Sequence, residues 1–352
     1  MANTGIDEKL NFLKSYAGRP LRIMEICGSH TAAVSKSGLR QLLSTKIELI
    51  SGPGCPVCVT PTSYIDRLIG LAEEKDTVVC VFGDMLRVPG SSESLSEAKG
   101  RGAKVEMLFS PLDMIRLAKK EPEKTFVFAA VGFETTTPAY ALLLSEAEEE
   151  KLENIKILTA LKTMPQAVSL LCEENEKIDG FLAPGHVCAV RGYSEYAELA
   201  GKYQRGFAVS GFEPEELVEA LYELANRLGK SEKTEGFAIN CYEKAVSYEG
   251  NKRAEALVNK YFESADAAWR GTGVIKNSGL VLKKEYEKFD MGSRELYEDN
   301  VRFKACRCGE VICGKVRPDE CPLFEKACTP LAPKGACMVS AEGACRAYYD
   351  NT

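Results

Sequence analysis

The chain has 352 residues, and 45 lysines and arginines against 51 aspartates and glutamates give it a formal net charge of −6. Hydrophobic residues make up 45% and charged residues 27% of it, which excludes wholesale disorder. Mild acidity argues against a dedicated nucleic-acid binder, and no apolar run reaches the roughly 20 residues that a membrane helix needs. The first residues show no signal peptide, so we expect a cytoplasmic protein whose thiols stay reduced.

Short apolar runs alternate with amphipathic stretches from residue 20 to about residue 215. Eight runs predict strands: 21–27, 47–51, 77–82, 104–109, 125–131, 155–160, 180–183 and 207–210. Four stretches predict helices: 61–75, 111–121, 136–150 and 214–228. Continuous apolar strands separated by helices are typical of parallel sheets covered on both faces, so the predicted fold class is α/β. Residues 241–270 predict helix, and 283–305 are charged and irregular.

A weak internal echo suggests two related halves, because Gly132-Phe133-Glu134 resembles Gly211-Phe212-Glu213. We therefore predict two similar parallel-sheet α/β domains at 20–120 and 121–215. A mostly helical, cysteine-rich C-terminal domain follows at 216–352, with residues 1–19 packed on it. In open α/β sheets, ligands bind at the carboxyl ends of the strands, so the Gly- and Pro-rich loops after the strands are the expected place for chemistry.

The first such loop reads Cys27-Gly28-Ser29-His30-Thr31. A nearby imidazolium or a helix N-terminus would lower the pKa of the Cys27 thiol from about 8.5 towards neutrality. The alternative is a small buried cysteine beside a histidine in a turn. Both interpretations stay open on the residues alone.

The second loop, Gly52-Pro53-Gly54-Cys55-Pro56-Val57-Cys58, contains a Cys-x-x-Cys motif. This spacing brings two sulfurs close enough for a disulfide or a shared metal. A structural zinc site would need a second such pair, and the chain has none. The motif therefore favours redox chemistry or a metal other than zinc.

Two further loops carry polar groups. The chain has only two histidines, and the second, His186, lies in Pro184-Gly185-His186-Val187, again after a predicted strand. Glu134 lies in the segment GFETTTP, where its carboxylate could bind a polar ligand or cap the following helix. The sequence does not decide between those two roles.

The C-terminal segment holds seven of the chain's 14 cysteines. Four of them follow the spacing Cys306-x14-Cys321-x6-Cys328-x16-Cys345. Four thiolates suit zinc or an iron–sulfur cluster, and the lack of zinc-ribbon pairs favours the cluster; unligated thiols are the third alternative. The remaining cysteines, Cys308, Cys313 and Cys337, offer a further redox pair.

Together, the segments CGSHT, GPGCPVC, GFETTTP, PGHV and CTPLAPKGACMVSAEGACRAYY resemble the HypD family of [NiFe]-hydrogenase maturation factors. The resemblance runs from about residue 20 to the C-terminus; Ser29 replaces the threonine of the usual first motif. It implies a scaffold on which an iron carrying two cyanides and one carbon monoxide, Fe(CN)2CO, is assembled. The scaffold would work in complex with HypC, receive cyanide from HypE, with HypF upstream, and serve the hydrogenase large-subunit precursor through HypC.

The resemblance also implies roles for individual residues. Cys27 would hold the iron together with the N-terminal cysteine of HypC, and Cys55 and Cys58 would be redox-active. A [4Fe–4S] cluster would be bound by four cysteines of the tail: Cys306, Cys321, Cys328 and Cys345. The implied fold has two similar α/β domains and a third, iron–sulfur domain. From their place in strand-end loops, we hypothesise that His30 or His186 relays protons.

Two other functions compete with the scaffold. One is an iron–sulfur thiol–disulfide oxidoreductase, since a cluster beside a dithiol resembles ferredoxin–thioredoxin reductase. The other is a zinc-stabilised interaction protein without a redox role. Cys27 separates the first from the scaffold, because a disulfide reductase needs only Cys55, Cys58 and the cluster.

Overall fold

The computed structural model describes residues 4–230 and 235–351. In these ranges the strands are β1 (Leu21–Glu25), β2 (Ile47–Ser51), β3 (Thr77–Val81), β4 (Val105–Met107), β5 (Thr125–Gly132), β6 (Ile155–Lys162), β7 (Gly180–Pro184), β8 (Gly206–Ser210), β9 (Phe237–Asn240), β10 (Phe262–Trp269) and β11 (Gly273–Leu282). The helices are α1 (Thr4–Lys14), α2 (Gly28–Lys36), α3 (Leu39–Leu42), α4 (Thr62–Glu73), α5 (Leu95–Gly100), α6 (Asp113–Lys120), α7 (Thr137–Glu149), α8 (Met164–Glu174), α9 (Gly185–Arg191), α10 (Ser194–Tyr203), α11 (Pro214–Leu228), α12 (Lys252–Tyr261), α13 (Cys308–Ile312) and α14 (Ala344–Tyr349).

The strands form two sheets. The first sheet has the order β2-β1-β7-β8-β9 and is parallel throughout. The second has the order β10-β11-β6-β5-β3-β4, and its β3 to β6 part is parallel. The hairpin of β10 and β11 joins that sheet antiparallel to β6.

The inner strands are apolar along their whole length. Every residue of β3, β7 and β8 is buried, as are the last seven of β5. Strands buried on both faces need helices above and below them, which parallel βα connections supply. The predicted α/β class and all eight predicted strands are confirmed, with bounds shifted by at most two residues at either end.

The division between the sheets differs from the predicted domain boundary at residue 120. Strands β3 and β4 precede that residue, yet they pair in one sheet with β5 and β6, which follow it. The chain starts in the first sheet, crosses to the second after β2, returns at β7 and crosses again at β10. Each sheet is therefore discontinuous in sequence, because parallel partners are joined by crossovers that can be very long.

The region after residue 215 contains helices, as predicted, but also three strands. β9 extends the first sheet, and the β10–β11 hairpin extends the second. The predicted helix at 241–270 is confirmed only over α12, and β10 begins at the next residue. The residues of β9 are all half-buried, and the middle of β10 is largely exposed, so neither strand has the continuous apolar run of the inner strands.

The two ends of the chain pack on the first sheet. α1 lies against α11, where Leu13 and Tyr16 share a core with Leu217 and Leu221, and Lys9 forms an ion pair with Glu219. The predicted packing of 1–19 on the C-terminal region thus involves α11 in the described residues. The cysteine-rich tail packs at the carboxyl end of the first sheet, in a core that it shares with β1 and β7. Among the described residues, no helix is long and apolar enough to cross a membrane.

Candidate functional site

Cys27 lies where the central part of the first sheet meets a helix N-terminus. β1 ends two residues before it, and α2 begins one residue after it. Its backbone is extended (φ −93°, ψ 133°), and the N–H groups of His30 and Thr31 donate to Cys27 O. The half-buried thiol therefore stands at the carboxyl end of a parallel strand, where the sequence predicted chemistry.

The electrostatics of this thiol differ from the prediction. Burial, together with the charge of Glu342, raises the pKa of Cys27 to about 11. His30 does not supply an imidazolium, because burial lowers its own pKa to about 4. The prediction that a neighbouring imidazolium lowers the pKa of Cys27 is therefore wrong for this structure. A bound metal would take the place of the thiol proton and would stabilise the thiolate directly.

The Cys-x-x-Cys loop lies directly on the Cys27 turn. Gly28 N donates to Gly54 O at 3.0 Å, and Gly52 N donates to Glu25 O at 2.9 Å. A Cβ atom on Gly54 would stand 2.5 Å from the Cα atom of Cys27. Only a glycine permits this approach, so the loop after β2 is held against the loop after β1.

Cys55 and Cys58 form a disulfide in the structure. Both are buried, at 4% and 0% exposure, and Cys58 N donates to Cys55 Sγ at 3.2 Å. On its far side, Cys58 Sγ lies 3.8 Å from Ala336 O in the tail. The disulfide therefore stands between the Cys27 turn and the tail.

The two histidines meet at one aromatic ring. His30 stacks on Phe212 with a centroid distance of 4.7 Å, and His186 does so at 3.9 Å. His30 is fully buried, and its Nε2 lies 3.0 Å from Gly211 O and 3.2 Å from Ser210 O. Because carbonyl oxygens only accept, Nε2–H is the donor. His186 is exposed, so only this histidine has direct access to solvent protons.

Glu134 follows β5 of the second sheet, and none of its hydrogen bonds among the described residues is with the Cys27 turn, the disulfide or the tail. Its Oε1 accepts a hydrogen bond from Met164 N, the first residue of α8, at 2.8 Å. The carboxylate thus caps a helix, but α8 rather than the α7 that follows it in sequence. Burial raises its pKa to about 7, and its Oε2 is buried without a hydrogen-bond partner in the described structure. Glu134 and Arg191 both line a 440 Å³ cavity.

The tail contains a close pair of thiols that the sequence left unassigned. Cys308 Sγ and Cys337 Sγ are 2.8 Å apart, and both side chains are buried. Each also hydrogen-bonds to a predicted cluster ligand, Cys308 to Cys306 and Cys337 to Cys345. Cys313 instead contacts Thr272 Oγ1 at 3.3 Å. The spacing of Cys308 and Cys337 matches no motif, so only the fold identifies them.

The four predicted cluster ligands lie in one neighbourhood of the tail. A hydrogen bond to Cys308, burial and the charge of Cys321 raise the pKa of Cys306. Burial raises the pKa of Cys328, and the charges of Cys345 and Cys321 add to the effect. Cysteine thiolates are the ligands that iron–sulfur clusters need, so the donor type fits. Within residues 4–230 and 235–351, no three or more His, Cys, Asp or Glu side chains converge on one metal position.

A second contact ties the tail to the Cys27 turn. Ser29 Oγ donates to Glu342 Oε1 at 2.8 Å, and a Cβ atom on Gly28 would lie 2.3 Å from Glu342 O. The sequence analysis did not single out Glu342, because its partner lies more than 300 positions away in the chain. The structure thus brings together the Cys27 turn, the disulfide and the tail thiols, and it places His30 and Glu342 around them.

A parallel sheet whose strand-end loops meet a cysteine-rich tail, beside a second, mostly parallel sheet, defines a cysteine-rich α/β protein suited to thiol and metal chemistry. Comparison with known proteins identifies the family of the chain. Residues 4–352 match the HypD family model, described as "Hydrogenase formation hypA family". The chain therefore belongs to the HypD family of hydrogenase maturation factors.

Individual relatives agree with the family match. The chain is 41% identical over 347 residues to the hydrogenase maturation factor HypD of Escherichia coli, covering 97% of this chain and 92% of that protein. It is 41% identical over 343 residues to HypD1 of Bradyrhizobium diazoefficiens, covering 94% and 89%. It is 38% identical over 345 residues to HypD of Cupriavidus necator, covering 94% and 90%.

Proposed function

We propose that this chain is the cytoplasmic scaffold on which the Fe(CN)2CO moiety of [NiFe] hydrogenases is assembled. It acts in complex with HypC, receives cyanide from HypE, with HypF upstream, and serves the hydrogenase large-subunit precursor through HypC. The observation that carries the proposal is the packing of the Cys27 turn against the Gly54 loop, which sets a strand-end thiol beside the chain's single Cys-x-x-Cys pair. Family membership supports the same conclusion.

Cys27 is the proposed iron ligand, together with the N-terminal cysteine of HypC. Cyanide and carbon monoxide bind best to electron-rich iron, and thiolates donate electron density to the metal. Cys27 is half-buried at the rim of the site, so a ligand from a second protein can reach the same iron. The iron and its diatomic ligands are the cargo of the scaffold.

Cys55 and Cys58 are proposed to supply the electrons for cyanide release. Splitting a cyano group from a carrier sulfur takes two electrons and one proton, and gives a carrier thiol and cyanide. Two thiols that close to a disulfide release two electrons and two protons, so the balance is met with one proton left for solvent. The disulfide between Cys55 and Cys58 is the oxidised end of that cycle.

The tail thiols are proposed to restore the dithiol. A reduced Cys308–Cys337 pair exchanges with the Cys55–Cys58 disulfide, forming one disulfide as the other opens, with no net change in electrons. The proposal is supported by the 3.8 Å contact of Cys58 Sγ with the backbone oxygen of Ala336, the residue before Cys337. A [4Fe–4S] cluster on Cys306, Cys321, Cys328 and Cys345 supplies single electrons when it is bound.

The protonatable groups divide into two roles. His186 is exposed and stacked on Phe212, so it is the proposed relay for protons from solvent. His30 stays neutral because its pKa is lowered, and it fixes the Cys27 turn to the loop after β8. Glu134, whose pKa is raised to about 7 by burial, is the proposed proton store on the second sheet.

The test is an infrared spectrum of the chain co-produced with its maturation partners and purified without oxygen. Metal-bound cyanide and carbon monoxide absorb in a region where proteins do not. We expect these bands in the unaltered chain and their loss in Cys27→Ala. The matched control is Cys241→Ala, which removes a half-buried free cysteine just after β9 and should keep the bands. Bands that persist in Cys27→Ala would overturn the scaffold proposal.

The Cys308–Cys337 contact also favours a second candidate function, a free-standing iron–sulfur thiol–disulfide oxidoreductase. That activity needs Cys55 and Cys58 but not Cys27. Two results together would establish the oxidoreductase in place of the scaffold. The unaltered chain would show no infrared bands of metal-bound cyanide or carbon monoxide, and the Cys27→Ala variant would still reduce a protein disulfide.

A further inference from the structure

A shallow groove lies on the outer face of the tail loop 328–335. We call it the Leu331 groove; Arg87, Arg302, Phe303, Leu331 and Lys334 are among its lining residues, and its volume is 310 Å³. Leu331 is 95% exposed, more than any other large hydrophobic side chain of the described residues. Burial of an exposed leucine is favourable, so this side chain is suited to a partner's pocket.

The loop holds Leu331 outward in a fixed position. Ala332 N donates to Thr329 O at 3.0 Å, which closes a turn around it. Arg87 Nη1 donates to Pro330 O at 2.8 Å and ties this turn to the loop after β3. Pro330 inside the turn and Pro333 directly after it restrict the backbone further. Little conformational entropy remains to be lost when a partner covers the leucine.

The inner face of the same loop touches the proposed cluster ligands. Lys334 N donates to Cys328 Sγ at 3.2 Å. A Cβ atom on Gly335 would lie 2.5 Å from Cys306 Sγ. One short loop thus has an exposed apolar side chain on its outer side and two of the four tail thiols on its inner side. Only this loop would separate a protein bound to its outer face from those sulfurs.

The lining of the groove carries three cations, Arg87, Arg302 and Lys334, against one carboxylate, Glu97, and the surrounding stretch of chain is basic. Residues 302–334 contain seven lysines and arginines against four acidic residues, whereas the chain as a whole has a net charge of −6. Four of these cations are in ion pairs: Arg302 with Glu97, Arg307 with Glu310, Lys315 with Glu174, and Arg317 with Asp319. The other three are Lys304, Lys326 and Lys334. Their charge is complementary to an acidic partner.

We propose that the Leu331 groove docks a small acidic protein that carries a one-electron centre and reduces the tail cluster. The inference rests on the proposed function, since it takes the four tail thiols as cluster ligands. Each docked carrier gives up one electron. Two such transfers, with two protons from solvent, convert one disulfide of the relay into two thiols, so electrons and protons balance.

The test mixes the anaerobically purified full chain with reduced flavodoxin, a small acidic carrier whose flavin changes colour on losing one electron. Stopped-flow absorbance gives the second-order rate. We expect the rate to fall steeply between about 0.05 and 0.5 M salt, and to fall about tenfold in Leu331→Glu. Lys334→Glu, at a lysine that lines the groove, should slow the reaction several-fold and make it less sensitive to salt.

Matched controls separate docking from folding. Phe109→Glu places the same charge on another highly exposed apolar residue, 86% exposed after the edge strand β4, and should leave the rate unchanged. Lys75→Glu, at a side chain that is 92% exposed, is the control for Lys334→Glu. Equal rates in Leu331→Glu and the unaltered chain would overturn the proposal.

Reduced methyl viologen is a small reductant that needs no docking surface, so it tests for a reducible cluster independently of docking. We expect it to reduce the tail centre equally in all variants. If it reduces no centre even in the unaltered chain, the iron–sulfur part of the proposed function fails, and the docking proposal fails with it. If it works while flavodoxin shows no dependence on salt or on Leu331, only the docking proposal fails.

A readout independent of electron transfer is carbodiimide cross-linking, which joins lysines to carboxylates in contact. We expect cross-links from flavodoxin to Lys304, Lys326 or Lys334, and none to Lys75. Cross-links confined to other faces would contradict the proposal. So would a dimer of the chain that Leu331→Glu dissociates while the flavodoxin rate stays the same, because the groove would then hold a second copy of the chain.

Discussion

At the scale of single residues, the contact between Gly54 and the Cys27 turn is the most restrictive feature of the site. A Cβ atom on Gly54 would lie 1.9 Å from Ile26 O and 2.4 Å from Gly28 N. Both are backbone atoms, so no side chain can rotate away. We expect Gly54→Ala to lower the free energy of unfolding by about 1–3 kcal/mol, measured by anaerobic denaturant titration, and to remove the infrared bands.

The control for this substitution is Gly70→Ala in α4, where nothing lies within 4 Å of the added atom. A glycine inside a helix costs roughly 0.5–1 kcal/mol relative to alanine, so this variant should be slightly more stable. Gly54→Ala with unchanged stability and intact bands would show that the two loops can separate without loss.

The same scale shows what the sequence could reveal. Cys27, Cys55 and Cys58 lie in short local motifs, so a reader of the sequence can find them. Cys308 and Cys337 are 29 positions apart, and only packing of the tail brings their sulfurs together. Glu134 caps α8 at Met164, which lies 30 positions further along the chain, so no local sequence pattern predicts this cap.

At the scale of elements, a buried lysine joins the second sheet to its hairpin. Lys162 ends β6, its Nζ donates to Ala268 O of β10 at 2.6 Å, and it lies 5.6 Å from the centre of the Trp269 ring. Burial lowers its pKa from 10.5 to about 7. Between these two values the unfolded chain binds a proton that the folded chain does not, so the free energy of unfolding rises with pH.

We therefore expect the titration of Lys162 to raise the free energy of unfolding by up to about 1.4 kcal/mol for each pH unit between about pH 7 and 10. Lys162→Met keeps the apolar stem and loses the charge, so its unfolding free energy should rise less over that window. Denaturant titrations at three pH values measure the slope. Lys75→Met, at an exposed position, should follow the unaltered chain; a parallel slope in Lys162→Met would show that the lysine stays charged when folded.

The elements differ in how clearly the sequence announces them. β2 and α11 have the predicted bounds to the residue, because β2 has three apolar residues among its five and α11 repeats leucines at helical spacing. β10 is not visible in this way, since the middle of the strand is mostly exposed. Its position is decided by pairing with β11, which is tertiary information.

At the scale of the whole molecule, the two sheets are interleaved along the chain. A cut at residue 120 separates β1 and β2 from β7, and β3 and β4 from β5. We expect fragments 1–120 and 121–352, produced separately, to lack a cooperative melting transition in circular dichroism, because each holds parts of two sheets and no complete one.

The control for the fragments is the folded chain cleaved at a protease site placed in the exposed turn at 121–124. The nicked protein should remain one particle and melt cooperatively, since the strand pairing holds both pieces. A separate fragment that melts cooperatively, with protected amides in its strands, would restore the boundary at residue 120. The sequence could reveal β1 to β8, but neither β9 to β11 nor the partner of each strand, because the crossings between sheets leave no composition signal.

The interleaving also sets the order of events on the ribosome. β1 and β2 emerge early, but the other neighbour of β1 is β7, which is made after the whole parallel part of the second sheet. At about 5–20 residues per second, the nascent chain carries the open edge of β1 for on the order of ten seconds. An unpaired apolar strand invites pairing with other chains. Synthesis of this protein should therefore depend on holdase chaperones until residue 184 has left the exit tunnel, while the second sheet can begin to form as its strands emerge.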